Sequence, residues 1–473
     1  MTNPNSHDGG DQTGSFDPAR IIFVASLCLM AFTYGVATMM YQLFPYGIIM
    51  NAKAAYHALK DIEEDDLFAG VTALDPKAPA TPVIATLDPD VGTEHLLVTG
   101  GPYEFMQRCP KFGCMAWVID RKGKVLHSWE VDTDALFSDL PEVAGRPLTR
   151  NLYPSGLALG SDGSLVMTIQ ARNTFPFQIG IAKIDRNGKL LWKHWDHNHH
   201  WSTLDRAGNV YSPSMHFERN VKYFANSAIE TRCHGNLDLV GINIYAPNGI
   251  LLRKLDLADV IAKSKYRGLF YGLRDGCDPI HLNSIDLASP SVTAAIPGVN
   301  PGDMLISMRE LSSVAIIDKD DGHIKKLMTG LTAGQHSPKF LPDGTALVFD
   351  NQGGDRSQGG TRIVRMNFVT GTSETIFPRP GSTREVPFFS MNAGHIDISS
   401  DGRRAMITGK EPGRSFEIDI ASGRPLWSYH SSFDIAPYLA RQKIKTKTTR
   451  AWQRLWGIYY VSANEFHAAG LGN

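Results

Sequence analysis

The sequence predicts an all-β fold, a six-bladed β-propeller carried behind an N-terminal transmembrane helix and a short helical stalk. Three observations lead there: a strand–turn–strand phrase that recurs six times, an uncharged run from Ile21 to Met40, and 44 glycines in a chain of 473 residues. Residues 1–20 read as a disordered tail, 21–40 as the membrane helix and 41–90 as helical stalk and linker. Residues 91–473 form the propeller, with a C-terminal strand closing the first blade.

The recurring phrase is an alternating apolar strand that ends in a turn with Asp or Asn and Gly, followed by a second short strand. Its copies are WVIDRKGKVLHSW, AKIDRNGKLLWKHW, NIYAPNGILLRKL, AIIDKDDGHIKKL, RMNFVTGTSETIF and FEIDIASGRPLWSY, beginning at Trp117, Ala182, Asn243, Ala315, Arg365 and Phe416. Each reads as the outer hairpin of a four-stranded blade. A second phrase precedes most of them, as in SGLALGSDGSLVMTI, HWSTLDRAGNVYSPS, HSPKFLPDGTALVFD and GHIDISSDGRRAMIT, and supplies the inner two strands. The first copy has room for about three strands between Glu94 and Trp129. The run RLWGIYYVSA from Arg454 to Ala463 is strand-like and supplies the missing one, so that ring closure removes exposed sheet edges.

The run IIFVASLCLMAFTYGVATMM is 20 residues without a charge, long enough to cross the hydrocarbon core of a bilayer. A cleaved signal peptide is the competing reading, but only Arg20 precedes the apolar run and the run is long. Of five cysteines, Cys28 lies in this segment, and Cys109, Cys114, Cys233 and Cys277 lie in the body. Adjacent members suggest Cys109 with Cys114 and Cys233 with Cys277 in an oxidising compartment, and reduced core cysteines are the alternative. Lys and Arg number 47 against 48 Asp and Glu, which leaves no basic face to steer nucleic acid.

Aligning the repeats places chemistry in the channel. His200 precedes Gly208 by eight residues and His336 precedes Gly344 by the same eight, so both begin an inner strand at one mouth. His281 begins another, and His395 stands one residue short of the register. Seven residues after a turn glycine come Arg309, Asn351 and Gln170. Histidines with an arginine and amides suit a small oxyanion such as sulfate or phosphate, which guanidinium grips in a bidentate manner. Each also has a plain structural reading: a hydrogen-bonded channel histidine, an Arg309–Glu310 ion pair, a turn shaped by Asn351. The stretch WKHWDHNHHW is dense in histidine, yet it lacks Cys or Glu at ligand spacing and alternation splits its side chains, so no metal and no cofactor are expected.

The phrases HLNS from His281, SMRELSSVAIIDKDDG from Ser307 and GQHSPKFLPDGTALVFDN from Gly334 resemble the bacterial arylsulfate sulfotransferases that do not use a nucleotide sulfate donor. The similarity runs from about Asn151 to Tyr429. It implies a six-bladed propeller exported to the periplasm, in which a channel histidine takes a sulfuryl group from an aryl sulfate and passes it to a phenol. By motif the nucleophile is His336. The resemblance further implies that His281 and Asn283 hold sulfate oxygens and assist proton transfer, and that Arg309 binds the oxyanion. His200, by register, and Asn351 complete the substrate contacts. Departing from that family, this chain keeps an apolar N-terminal helix, which places it in the bacterial inner membrane as a single-pass protein with its propeller in the periplasm. A non-catalytic membrane-anchored propeller, serving a membrane-protein partner or a homo-oligomer as an interaction module, is the alternative.

Overall fold

The computed structural model describes residues 17–41, 43–46, 48, 71–100, 109, 114–132, 135–136, 139, 152–171, 178–218, 237–272, 277–379, 388–410, 413–441, 443 and 445–472. The chain divides into two units, Met1–Asp65 and Asp66–Asn473. In the first, Pro18–Tyr41 is a helix of 24 residues with Arg20 as its single charge. At the helical rise it measures about 36 Å against a hydrocarbon core of about 30 Å. Thr33, its hydroxyl exposed on the apolar surface, donates back to the Leu29 carbonyl at 2.9 Å, which satisfies that hydroxyl within the helix. Length and composition fit a membrane span, and a signal sequence passes the same test.

The second unit is a propeller of six blades. From the channel outward, blade 2 contains Leu152–Leu159, Leu165–Ala171, Gln178–Ile184 and Leu190–His194, and blade 3 contains Thr203–Leu204, Val210–Glu218, Leu237–Tyr245 and Leu251–Asp256. Blade 4 contains Leu282–Leu287, Met304–Met308, Ser313–Ile317 and Ile324–Thr329, and blade 5 contains His336–Phe340, Thr345–Asp350, Arg362–Asn367 and Thr372–Phe377. Blade 6 runs His395–Ile398, Arg404–Gly409, Arg414–Asp419, Pro425–His430. All six hairpin phrases fall on the outer strand pairs. The Asp-x-x-Gly turns work as their chemistry requires: the Asp205 carboxylate accepts from Ala207 and Asn209 at 2.8 and 2.9 Å, and Gly208 takes φ 81°.

Closure is as expected. Ile458–Val461 pairs antiparallel with His95–Thr99 and becomes the channel-side strand of blade 1, ahead of Cys114–Ile119 and Val125–Glu130. The Thr99 hydroxyl accepts from the amides of Trp456 and Gly457 at 2.9 and 3.1 Å. Farther out, Arg121 of blade 1 lies 3.0 Å from Glu94 and 2.9 Å from the fully buried Glu417 of blade 6, and Arg404 pairs with both carboxylates. Trp427 is fully buried at the same seam.

The boundary placed at residue 91 moves toward the N-terminus. Val83–Thr86 adds a fifth strand to blade 6 by pairing with Trp427–His430, and Val71–Leu74 pairs with Arg450–Gln453 in a small sheet completed by Ser432–Asp434. The linker sequence had no alternation strong enough to mark these four-residue strands, whose partners lie over 300 residues away. The stalk helix expected before them falls almost entirely outside the described residues.

Blades stack face to face, so their middle strands are buried on both sides. Ser313–Ile317 is buried at every position. Continuous apolar clusters fill the spaces between blades, such as Leu305, Val314 and Ile316 of blade 4 against Ala346, Val348 and Val364 of blade 5. This packing leaves little freedom at the inner strand ends, where the candidate site lies.

Candidate active site at one mouth of the channel

Three inner-strand starts converge. Trp201 bridges to Ser284, drawing the approach to blade 3 alongside the inner strand of blade 4. The rings of His200 and His281 then stand 5.2 Å apart and those of His200 and His336 6.0 Å apart. One ring nitrogen from each lies within 4.8 Å of the others, close enough to share a metal ion. Of the histidine-rich stretch, His200 belongs to this set, whereas His194 reaches the Gly249 carbonyl and stacks on Tyr245.

Two of these histidines have unusual backbones. His200 takes φ 55° and His281 φ 53°, a region that side chains rarely occupy and that costs on the order of 1–3 kcal/mol each. The His200 carbonyl is held by the Thr168 hydroxyl of blade 2. The His281 amide donates to Asp278 Oδ1 at 3.1 Å, its carbonyl accepts from the Arg309 amide at 3.1 Å, and its Nδ1 pairs with Asp278 Oδ2. Its Nε2 is buried without a partner. An orphaned buried nitrogen in a strained residue is the signature of a group awaiting a ligand.

His336 is 1% exposed. Its Nδ1 lies 2.7 Å from Asn351 Oδ1 and 2.9 Å from the Gly334 carbonyl. Asn351 spends its amide hydrogens on the Ser390 and Ala393 carbonyls at 2.9 and 2.7 Å. Asn283 donates to the Gln335 carbonyl at 2.8 Å and accepts from Ser284 at 3.3 Å. Arg309 forms an ion pair with Glu310, its Nε 2.7 Å from Oε1, and its guanidinium remains partly exposed.

Burial, then the positive charge of Arg309, holds the His336 imidazole well below its usual pKa. Burial and the neighbouring imidazoles of His199, His281 and His336 do the same to His200. His199, whose Nδ1 lies 2.6 Å from that of His200, falls to about 3 through burial and the proximity of His281. These rings are neutral at neutral pH and keep a lone pair.

The register argument thus brings His200, His281 and His336 together, with Asn351 and the charge of Arg309 reaching the last. His395 is displaced: Trp201 stacks on it at 5.3 Å and stands between it and His336. Gln170 is buried at the end of its strand and accepts from Tyr153 at 3.1 Å. Asp278 and His199 were missed, although Asp278 stands three residues before His281 in the same phrase. The signal is an acid at the start of DPIHLNS, which lies ahead of the strand and so outside the repeat register. The disulfide expected from spacing joins Cys109 to Cys114 across 5.4 Å between Cα atoms. Cys277 is also disulfide-bonded, and Cys233, its expected partner, lies outside the described residues. A cavity of about 510 Å³ opens at the opposite end of the channel, among Asp162, Asp205, Asp397 and Tyr460.

Residues 261–431 match the family described as Arylsulfotransferase (ASST). No curated protein matches the chain. Among solved structures, a protein of unknown function from Bacteroides caccae is 13% identical with TM-score 0.45, covering 78% of this chain and 99% of its own. TolB from Acinetobacter baumannii is 9% identical with TM-score 0.41, covering 78% and 66%. Virginiamycin B lyase from Staphylococcus aureus, with quinupristin, is 14% identical with TM-score 0.34, covering 59% and 70%.

Proposed function

We propose, from a chain that matches the arylsulfotransferase family over residues 261–431, an enzyme that moves a sulfuryl group from an aryl sulfate to a phenol through a sulfohistidine on His336. The observation that carries this reading is the Asn351–His336 bond. With both amide hydrogens of Asn351 committed elsewhere, its oxygen accepts from His336 Nδ1–H, and the lone pair resides on Nε2. A neutral, desolvated imidazole of fixed tautomer is a competent nucleophile.

In the first half-reaction Nε2 of His336 attacks sulfur and the bond from sulfur to the aryl oxygen breaks. Arg309 and the His200 ring face the charge developing on the sulfuryl oxygens. In the second half, the phenol oxygen attacks sulfur and the nitrogen–sulfur bond breaks. Asn283 and Asn351 act by positioning: one ties the start of blade 4 to Gln335, the other sets the tautomer of His336. We place the propeller in the periplasm, anchored by the N-terminal helix. The Cys109–Cys114 and Cys277 disulfides support an oxidising compartment.

Mass spectrometry after incubation with a nitrophenyl sulfate tests this. The expected result is a sulfuryl adduct on His336, absent from His336→Ala, and nitrophenol release that a second phenol accelerates. Wild type and His336→Ala equally inert across several donors would sink the enzymatic reading in favour of a non-catalytic membrane module. The three-imidazole cluster favours a second reading, a transition metal held by His200, His281 and His336. A stoichiometric metal in the purified protein, lost in His281→Ala, decides for it.

A further inference from the structure

The acid–base chemistry of the transfer needs a group that protonates the leaving aryloxide and later deprotonates the acceptor. We propose that Asp278 is a positioning residue that makes His281 this group, an inference that rests on the sulfuryl-transfer reading above.

The geometry is two-pronged. One carboxylate oxygen of Asp278 accepts the His281 backbone amide at 3.1 Å, and the other pairs with Nδ1 of the same residue. The first contact holds the backbone in its left-handed conformation at φ 53°. The second orients the ring and assigns its Nδ1 proton, because an ionised carboxylate only accepts. What remains is Nε2, buried and without a partner. It belongs to the ring that stands 5.2 Å from His200, in the cluster shared with His336.

Burial works against the Asp278 charge, but His281, by charge and by hydrogen bond, and the more distant Arg309 outweigh it and hold the carboxyl below its usual range. Asp238 is a further carboxyl in this neighbourhood, in addition to Glu310, which pairs with Arg309; the Asp238 backbone amide donates to the Cys277 carbonyl at 2.6 Å. Burial and the Asp278 charge raise Asp238 to about 7, so at neutral pH a large part of it is protonated and adds no full second charge.

The step balances. When both His281 ring nitrogens carry protons, Nε2–H delivers its proton to the aryl oxygen as that oxygen leaves and His336 Nε2 bonds to sulfur. The sulfohistidine keeps its Nδ1–H on Asn351. In the return, neutral His281 Nε2 takes the proton of the acceptor phenol while its oxygen attacks sulfur. His336 departs neutral and His281 is again an imidazolium. No other reactant is required.

Asp278→Asn and Asp278→Glu, assayed with aryl sulfates of graded leaving-group acidity, test the role. For an unactivated phenol the expected loss in kcat of Asp278→Asn is about 10²–10⁴-fold. For a nitrophenol, which leaves without a proton, the expected loss is below about tenfold by the same argument. Asp278→Glu should recover part of the loss, and Asp278→Asn in a His281→Ala background should cost little more. Equal losses across all leaving groups, or none, overturn the role while leaving the sulfotransferase intact. A wild type inert toward every donor, without an adduct on His336, overturns the function and this role together.

Discussion

The Asn351 amide nitrogen donates to two carbonyls, Ser390 at 2.9 Å and Ala393 at 2.7 Å, which leaves its oxygen, with the Gly334 carbonyl, to accept the proton on His336 Nδ1. The amide cannot flip without turning its oxygen toward two acceptors. One side chain on blade 5, held by the loop that leads into blade 6, thereby sets the electronic state of another.

That linkage predicts a large effect from a small change. Asn351→Leu keeps the branched shape but leaves the Gly334 carbonyl alone to hold the His336 tautomer, and kcat should fall roughly 10²–10³-fold. Stability should fall by about 2–3 kcal/mol, since three hydrogen bonds vanish and two buried carbonyls lose donors. Steady-state kinetics beside a denaturant melt measures both. A stable variant with wild-type kcat contradicts the tautomer argument.

Arg309→Lys retains the charge but not the planar fork. Oxyanion stabilisation by such a donor is worth about 10²–10³ in kcat, so the lysine variant should lose much of that while its fold is unchanged. Turnover within a factor of two of wild type argues that the arginine serves only its ion pair with Glu310.

Ring closure depends on charges as well as strands. Removing Arg121 leaves the fully buried Glu417 with Arg404, the Tyr460 hydroxyl and the Gly92 amide, and loses charge-assisted bonds to both Glu94 and Glu417, which should cost about 2–3 kcal/mol. Arg121→Ala should therefore melt well below wild type. Replacing the exposed Arg403, paired with Asp401, should shift the melt by less than about 1 kcal/mol. Similar shifts for both would show that the seam carries no special share of stability.

Acid should destabilise the propeller. Four buried histidines, His199 at about 3 and His200, His336 and His395 well below their usual value, stay neutral in the fold. The unfolded chain binds protons at these positions below about 6.5, so it gains protons that the native state refuses and stability drops as pH falls from there. Asp238 at about 7 and Asp397 at about 6, both raised chiefly by burial, act oppositely: the fold holds their protons, and stability drops as pH rises above the ordinary carboxyl range. Four groups outnumber two, and the denaturation midpoint should decline between about pH 6.5 and 4. In His395→Gln the decline should be shallower by up to one proton; an unchanged slope refutes the assignment.

The Cys109–Cys114 link closes a short loop in blade 1 and should contribute about 2 kcal/mol. A Cys109→Ser, Cys114→Ser double variant should melt lower by that amount. Cys277 should keep its disulfide in the same variant, as thiol counting can verify.

Much of the architecture was legible in the chain because propeller repeats are local. Period-2 alternation and an Asp-to-Gly turn encode each hairpin within about a dozen residues. The six hairpins, the closing strand before Val461 and the alignment of His200 with His336 could be read in this way. Arg309 was legible for the same reason, seven residues after the turn glycine Gly302, and His281 as the start of an inner strand ahead of an insertion.

The sequence by itself determined which residues start and end the inner strands, since alternation and turn chemistry are written in neighbouring positions. Only the tertiary structure decided what those residues face. Trp201 stacks on His395, the Ser390 and Ala393 carbonyls take both amide hydrogens of Asn351, and Asp278 reaches back to grip His281. Val83–Thr86 and Val71–Leu74 became strands for a like reason, finding partners more than 300 residues away. Hydrogen-bond direction, left-handed backbone and desolvation depend on atoms brought together from different blades, and no local pattern carries them.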